Sequence, residues 1–155
     1  MILPNRVILK GHLSFIMNTK NIPFILARFS LFLVYFWFGF LKVLGTSPAN
    51  PLVAGLLEKT LPFITFNQFI VIFGIFEMVI GLLFLMPGMD RLTLIFFGLH
   101  IFTTILPLIS LAPVTWQGFL VPTLEGQYII KNAILVSLVV FVLHPDFKMF
   151  SSKKP

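Results

Sequence analysis

The sequence predicts an all-α fold, a polytopic membrane four-helix bundle with short interfacial segments on its outer side. Three observations carry that prediction. Of the 155 residues 58% are hydrophobic and only 10% charged, where an ordinary soluble domain carries about 25% charged residues. Four windows stay apolar over the roughly 20 residues that a hydrocarbon core of about 30 Å requires. No stretch alternates with the period of two that a membrane barrel needs.

The elements follow in chain order. Residues 1–21 form a cytoplasmic amino-terminal arm, residues 22–144 the four-span domain and residues 145–155 a basic cytoplasmic tail. The first span runs over 22–45. Basic residues precede it and Ser47-Pro48-Ala49 follows, as around a signal peptide. Its apolar stretch exceeds the roughly 7 to 15 residues of a signal h-region, however, and Lys42 interrupts its end, so it reads as a retained anchor. Pro48, Pro51 and Pro62 then bracket Leu52 to Leu57, which reads as a short amphipathic helix lying at the outer interface. The second span, 66–86, ends at Pro87-Gly88, which cannot continue a helix, and a tight inner turn leads to Arg91. The third, 92–112, carries Pro107 where it kinks the helix and Pro113 where it stops it. Residues 114–123, with Trp116 and Phe119, read as a second interfacial segment anchored by its indole, and the two segments together as a cap. The fourth span, 128–143, is the shortest, with Glu125-Gly126-Gln127 supplying its first turn.

Charge sets the orientation. Arg6, Lys10, Lys20, Arg91, Lys148, Lys153 and Lys154 fall on one side; the other has Lys59 in its loops, with Lys42 and Lys131 inside helix ends. Both termini are therefore expected in the cytoplasm, which an even number of spans satisfies. This topology accounts for the net charge of +6, and membrane lipids rather than nucleic acid are the expected partners, since no basic face gathers on a soluble surface. The chain has no cysteine, which excludes disulfides, thiol relays and cysteine-ligated metal centres, so any redox role needs a bound cofactor or a partner.

The polar residues inside the spans carry the functional information, because an ionisable group at membrane depth costs several kcal/mol. Arg28, Tyr35 and Lys42 recur every seven positions on one face of the first span, with Gly39 between the last two. Asn67, Gly74, Glu77 and Gly81 share a face of the second, where the glycines admit a close neighbouring backbone. His100, Thr103, Thr104 and Pro107 align on the third; Tyr128, Lys131 and Asn132 cluster on the fourth. At 1.5 Å per residue, Glu77 lies roughly 16 Å below the outer start of its span and His100 roughly 14 Å above the inner start of its own. They are expected partners near the midplane. Lys42 and Lys131 are expected near the outer boundary, and Arg28 about 8 Å from the cytoplasmic end.

Each residue has a simpler reading as well. Lys42, Lys131 and Arg28 have stems long enough to snorkel. Glu77 reads either as a network residue or as a neutral, hydrogen-bonded acid, and His100 alone reads more readily as a packing histidine. His12 and His144 lie too near the ends to interpret. The 20 phenylalanines read as lipid-facing or packing residues, not a cofactor cage. There is no His-Glu-x-x-His, Walker loop, dinucleotide fingerprint or nucleophile elbow, so no complete catalytic motif, and no metal site is expected. His100 lacks a midplane histidine partner for bis-histidine haem.

The order Arg28, Trp37-Phe38-Gly39-Phe40-Leu41-Lys42, Ser47-Pro48, Gly74 to Gly81, Arg91, Thr103-Thr104, Trp116 and Gly126 to Asn132 resembles the DoxX-like superfamily of small four-helix membrane proteins, especially its YkgB-type branch. The resemblance covers about residues 22 to 144 and lies in the order of short motifs. It implies a bacterial-type cytoplasmic (inner) membrane location and a functionally mixed family, including a quinone-linked oxidoreductase subunit, an assembly factor and stress-associated proteins. The family elements map onto Arg28, Gly39 with Lys42, Glu77 with Gly81, and Gly126 with Lys131; thiol chemistry proposed for some members is out of reach of this cysteine-free chain. Three readings stay open. One is a subunit of a membrane complex, respiratory or oxidative-stress-related, that binds quinone or lipid non-covalently through Arg28, Tyr35, Lys42, Glu77, His100, Lys131 and Asn132. The others are a structural or assembly factor, alone or as a homo-oligomer, and a small proton-coupled carrier.

Overall fold

The computed structural model describes residues 22–143, so the flanking basic residues that help set the orientation, Arg6, Lys10, Lys20, Lys148, Lys153 and Lys154, lie outside the described residues, as do His12 and His144. Helix α1 is Ile22–Val43, α2 Asn50–Thr60, α3 Phe66–Leu85, α4 Asp90–Ile105, α5 Pro107–Ser110, α6 Ala112–Thr115 and α7 Leu124–Leu143; β1 (Trp116–Gly118) and β2 (Val121–Pro122) form a small antiparallel hairpin. Four of these helices, α1, α3, α4 continued by α5, and α7, are long and apolar enough to cross a membrane. The fold is an all-α membrane four-helix bundle. Its two ends are called here the turn end, at Pro87 to Asp90, and the cap end, at α2 and the hairpin.

Several boundaries differ from the sequence reading, each for a local reason. The first span stops at Val43 because Gly45, at φ 73°, turns the chain left-handed, and the Gly45 and Thr46 amides bond back to the Lys42 and Leu41 carbonyls. The third is interrupted at Leu106, as expected from Pro107, which offers no amide hydrogen to the preceding turn, but it ends at Ser110. Pro113 does not stop that span; it sits in the first turn of α6, where no amide is needed. Trp116, on the hairpin, donates its indole N–H to the Leu108 carbonyl at 2.9 Å, which ties the hairpin to α5. The fourth span is as long as the second: it begins at Leu124, where the Thr123 hydroxyl accepts from the Gly126 amide at 3.2 Å and Glu125 complements the helix dipole. Gly126 has no room for a side chain, being pressed against Thr115 and Pro122.

Antiparallel α1 and α3 form the tightest pair. A Cβ on Gly39 would lie 2.5 Å from the Gly74 carbonyl oxygen, one on Gly74 would lie 2.6 Å from the Gly39 oxygen, and one on Gly81 would lie 2.9 Å from the Phe36 nitrogen. Backbone meets backbone there, the small-residue packing that replaces the hydrophobic effect between membrane helices.

These contacts stagger the pair. Lys42 packs on Gly74, while Arg28 reaches the Phe84 carbonyl. Helix α3 therefore continues beyond the level of Lys42 by roughly 12 Å at the cap end, and α1 continues from Arg28 to Ile22 by roughly 9 Å at the turn end. Relative to α3, Lys42 therefore lies about two turns in from the cap-end start of that helix, and Arg28 lies level with the α3–α4 turn. Between those levels Leu31, Ile80, Phe84, Val139 and Val142 are fully buried, and Tyr35 and Phe97 complete the core.

Gly74→Val should destabilise the protein by about 1–3 kcal/mol or more through forced separation of α1 and α3. Gly98→Ala, whose added methyl meets nothing within 4 Å, should be neutral or stabilising by up to about 1 kcal/mol. Thermal unfolding in detergent, followed by circular dichroism, checks both.

Candidate functional site

Glu77 lies on the buried face of α3, beside the close glycine contact that brings α1 within reach. One carboxylate oxygen, Oε2, accepts from the Lys42 ammonium at 2.5 Å, and the other, Oε1, lies 2.6 Å from His100 Nε2 on α4. His100 Nδ1 then lies 3.4 Å from the Tyr35 hydroxyl and 3.4 Å from the Thr104 hydroxyl. Four polar side chains from three helices thus join through one carboxylate. All four are buried, Glu77 being only 4% exposed.

The surrounding rings hold this arrangement. Phe73 stacks on the His100 imidazole with centroids 5.5 Å apart, and the Lys42 ammonium sits 5.6 Å from the same Phe73 centroid. Tyr35 meets His100 edge-on at 5.1 Å. A cation against a ring face and beside a carboxylate loses less on leaving water than a bare charge would.

The hydrogen count orders the chain. Donation from Nε2–H to Glu77 leaves Nδ1 of a neutral imidazole as an acceptor. The Thr104 hydroxyl donates to the His100 carbonyl at 2.8 Å, so its hydrogen is already used. Tyr35 is then the hydroxyl that faces Nδ1. If the imidazole takes a second proton, Nδ1–H finds an acceptor in either hydroxyl. Both protonation states are accommodated without moving a helix, which is the chemical capacity of a proton-exchanging relay.

A second polar contact closes the turn end. Arg28 donates through Nη2 to Asp90 Oδ1 at 2.6 Å and through Nη1 to the Phe84 carbonyl at 3.0 Å, with its guanidinium 5.1 Å from the Phe24 centroid. It caps an unpaired carbonyl at the end of α3 and ties it to the first residue of α4, a structural task.

The expected site residues therefore divide. Tyr35, Lys42, Glu77 and His100 come together; Arg28 stands apart in its own pair with Asp90. Gly39, Gly74 and Gly81 line the close helix contact. Lys131 lies outside the cluster, exposed on α7 with its ammonium 5.3 Å from the Tyr128 ring. Asn132 is half-buried and hydrogen-bonds to none of the described residues. Sequence reasoning missed Asp90 and Phe73. An acid two residues after the Pro-Gly pair, in a chain with only 5 acidic residues, was the available signal for Asp90; nothing distinguished Phe73 from the other phenylalanines. Among the described residues no three His, Cys, Asp or Glu side chains gather as metal ligands would. Comparison with family models, with curated proteins and with solved structures finds no match.

Lys42→Met leaves a buried carboxylate without its cation and should cost about 3–5 kcal/mol. Combined with Glu77→Gln the loss should be smaller than the sum of the single changes, by up to about 3 kcal/mol. Unfolding free energies of the four proteins in mixed micelles give the coupling directly; additive losses would show that the two groups do not act as a pair.

Proposed function

We propose that this protein is a DoxX-like accessory subunit of a quinone-linked, respiratory-type complex in a bacterial-type cytoplasmic membrane, and that its polar bundle interior receives a lipid-soluble ligand such as a quinone. The observation that carries this reading is the Tyr35–His100–Glu77–Lys42 chain, buried in helices apolar enough to span a membrane. Lysine, histidine and tyrosine are the donors that a quinone carbonyl would accept from, and Glu77 with His100 supplies a proton acceptor and donor side by side.

A second reading, a structural or assembly factor, is favoured by the mutual satisfaction of the same groups. Both oxygens of Glu77 are already engaged, and in this second reading the network serves only to fix helix register. The two readings separate on ligand retention. Protein purified gently from native membranes should carry quinone, and Glu77→Gln and Lys42→Met should release most of it while remaining folded. Equal quinone content in wild type and both variants would leave the structural reading.

In this reading the turn end, with Arg91, faces the cytoplasm, and the cap end, with exposed Phe119, faces outward. Because the chain is cysteine-free, single cysteines report topology cleanly. Phe119→Cys should react with a membrane-impermeant maleimide in intact cells, and Met89→Cys only after permeabilisation; the reverse pattern would invert the orientation.

A further inference from the structure

The polar cluster is closed differently at its two ends. Toward the turn end it rests on three rings, Tyr35, Phe84 and Phe97, each in contact with the other two at centroid distances of 5.9, 5.9 and 6.1 Å. All three rings are buried, and Leu31 and Ile80 of the same core are fully buried. A close-packed layer of this kind holds no water.

Toward the cap end the cover is thinner. Phe73 lies one turn nearer the start of α3 than Glu77, and its ring stacks within 15° of parallel on the His100 imidazole while the Lys42 ammonium sits over it. Phe69, in the first turn of α3, stacks on Phe73 at 5.5 Å. Both phenylalanines are only half-buried, and so are Thr103 and Thr104, which lie one turn nearer the cap end of α4 than His100. The Thr104 hydroxyl stands 3.4 Å from His100 Nδ1, so a partly exposed polar group adjoins the atom on which a neutral imidazole takes up a proton. A half-buried ring changes rotamer without a helix moving, whereas three mutually packed rings do not move singly.

We propose that Phe73 is the gate of the cluster: water carrying a proton reaches His100 from the cap end when this ring swings aside, while the Tyr35–Phe84–Phe97 floor keeps the turn end shut. The proton adds to Nδ1 and leaves by the same path, so the cluster is loaded and unloaded from one side of the membrane. The titratable groups facing the imidazole are Glu77 from α3 and Tyr35 from α1, with Lys42 joined through Glu77. From α7 the same core receives apolar residues, Leu135, Val136 and Val139. The added charge is thus met by the Glu77 carboxylate. This gate does not depend on the ligand proposed above, which decides only what the proton is used for.

The test uses the full chain in sealed membrane vesicles of both orientations, with a small charged thiosulfonate that does not cross the bilayer. Phe119→Cys, at the exposed hairpin tip, identifies the preparation that presents the cap end. Thr104→Cys reports water beside His100, and Val139→Cys, fully buried, reports loosening of the whole bundle. From the cap side, adding Phe73→Ala should speed the reaction of Thr104→Cys about tenfold, as when the opening free energy falls by about 1.4 kcal/mol. Phe73→Tyr, which keeps the ring, should leave the rate at that of the parent, and Phe73→Leu, a milder truncation, should fall between. From the turn side Thr104→Cys should stay unreactive with any of these residues at position 73, and Val139→Cys should stay unreactive throughout. Reaction of Thr104→Cys from the turn side would overturn the one-sided access. A rate unchanged by both Phe73→Ala and Phe73→Leu, or a gain matched at Val139→Cys, would overturn the gate. None of these readouts involves quinone, so their failure leaves the ligand-binding reading to be decided by quinone retention alone.

Discussion

A carboxylate carried into hydrocarbon has to bring its counter-charge with it, and much of this bundle is arranged around meeting that requirement at Glu77. Lys42 reaches Glu77 only because Gly39 and Gly74 let α1 and α3 touch backbone to backbone. A side chain at either glycine would push the ammonium away and leave two unpaired charges at depth, which is far more costly than losing packing alone. His100 takes the remaining oxygen and fastens α4 to the same point.

The stagger of α1 against α3 follows from that contact and organises the rest. Because Lys42 is level with Gly74, Arg28 is level with the turn, where Asp90 and the Phe84 carbonyl await it. One apolar layer, from Leu31 and Phe84 to Val142, separates the Arg28–Asp90 pair from the Glu77 cluster. Helix α1 ends one residue past Lys42, and the chain turns at Gly45 into α2, whose Lys59 ammonium donates to the Ser110 carbonyl on α5 at 2.8 Å. The cap is thus fastened to the far side of the bundle. Helix α7, with no such polar tie to the other spans among the described residues, packs through apolar residues, Ile129 near the cap end and Leu135, Val136, Leu138, Val139, Val142 and Leu143 along its second half.

Much of this was legible in the sequence. The four spans followed from hydropathy and length, because the bilayer constrains both. The pairing of Glu77 with His100 followed from matched depths, since both depths were counted on helices that share the turn at Pro87. The register of Lys42 and Arg28 against α3 was not legible, because α1 shares no tight turn with α3 and its register is set by glycine contacts that a single helix does not display. Asp90 was overlooked because an acid at a helix start has a sufficient local role in the helix dipole. The early start of α7 was hidden by Glu125, Gly126 and Gln127, polar residues that lower hydropathy while the Thr123 cap stabilises the turn they form. Lys131 and Lys42 looked alike in sequence; only packing separates an exposed cation from a buried one.

The account depends on Glu77 being an ionised partner of Lys42 inside the bundle. Infrared difference spectroscopy of wild-type protein against Glu77→Gln in lipid isolates that one carboxyl group. Loss of a carboxylate band, with no protonated carboxylic-acid band among the differences, is the expected result. Loss of a protonated carboxylic-acid band instead would mean that Glu77 is neutral, and the ion pair on which the helix arrangement rests would not exist.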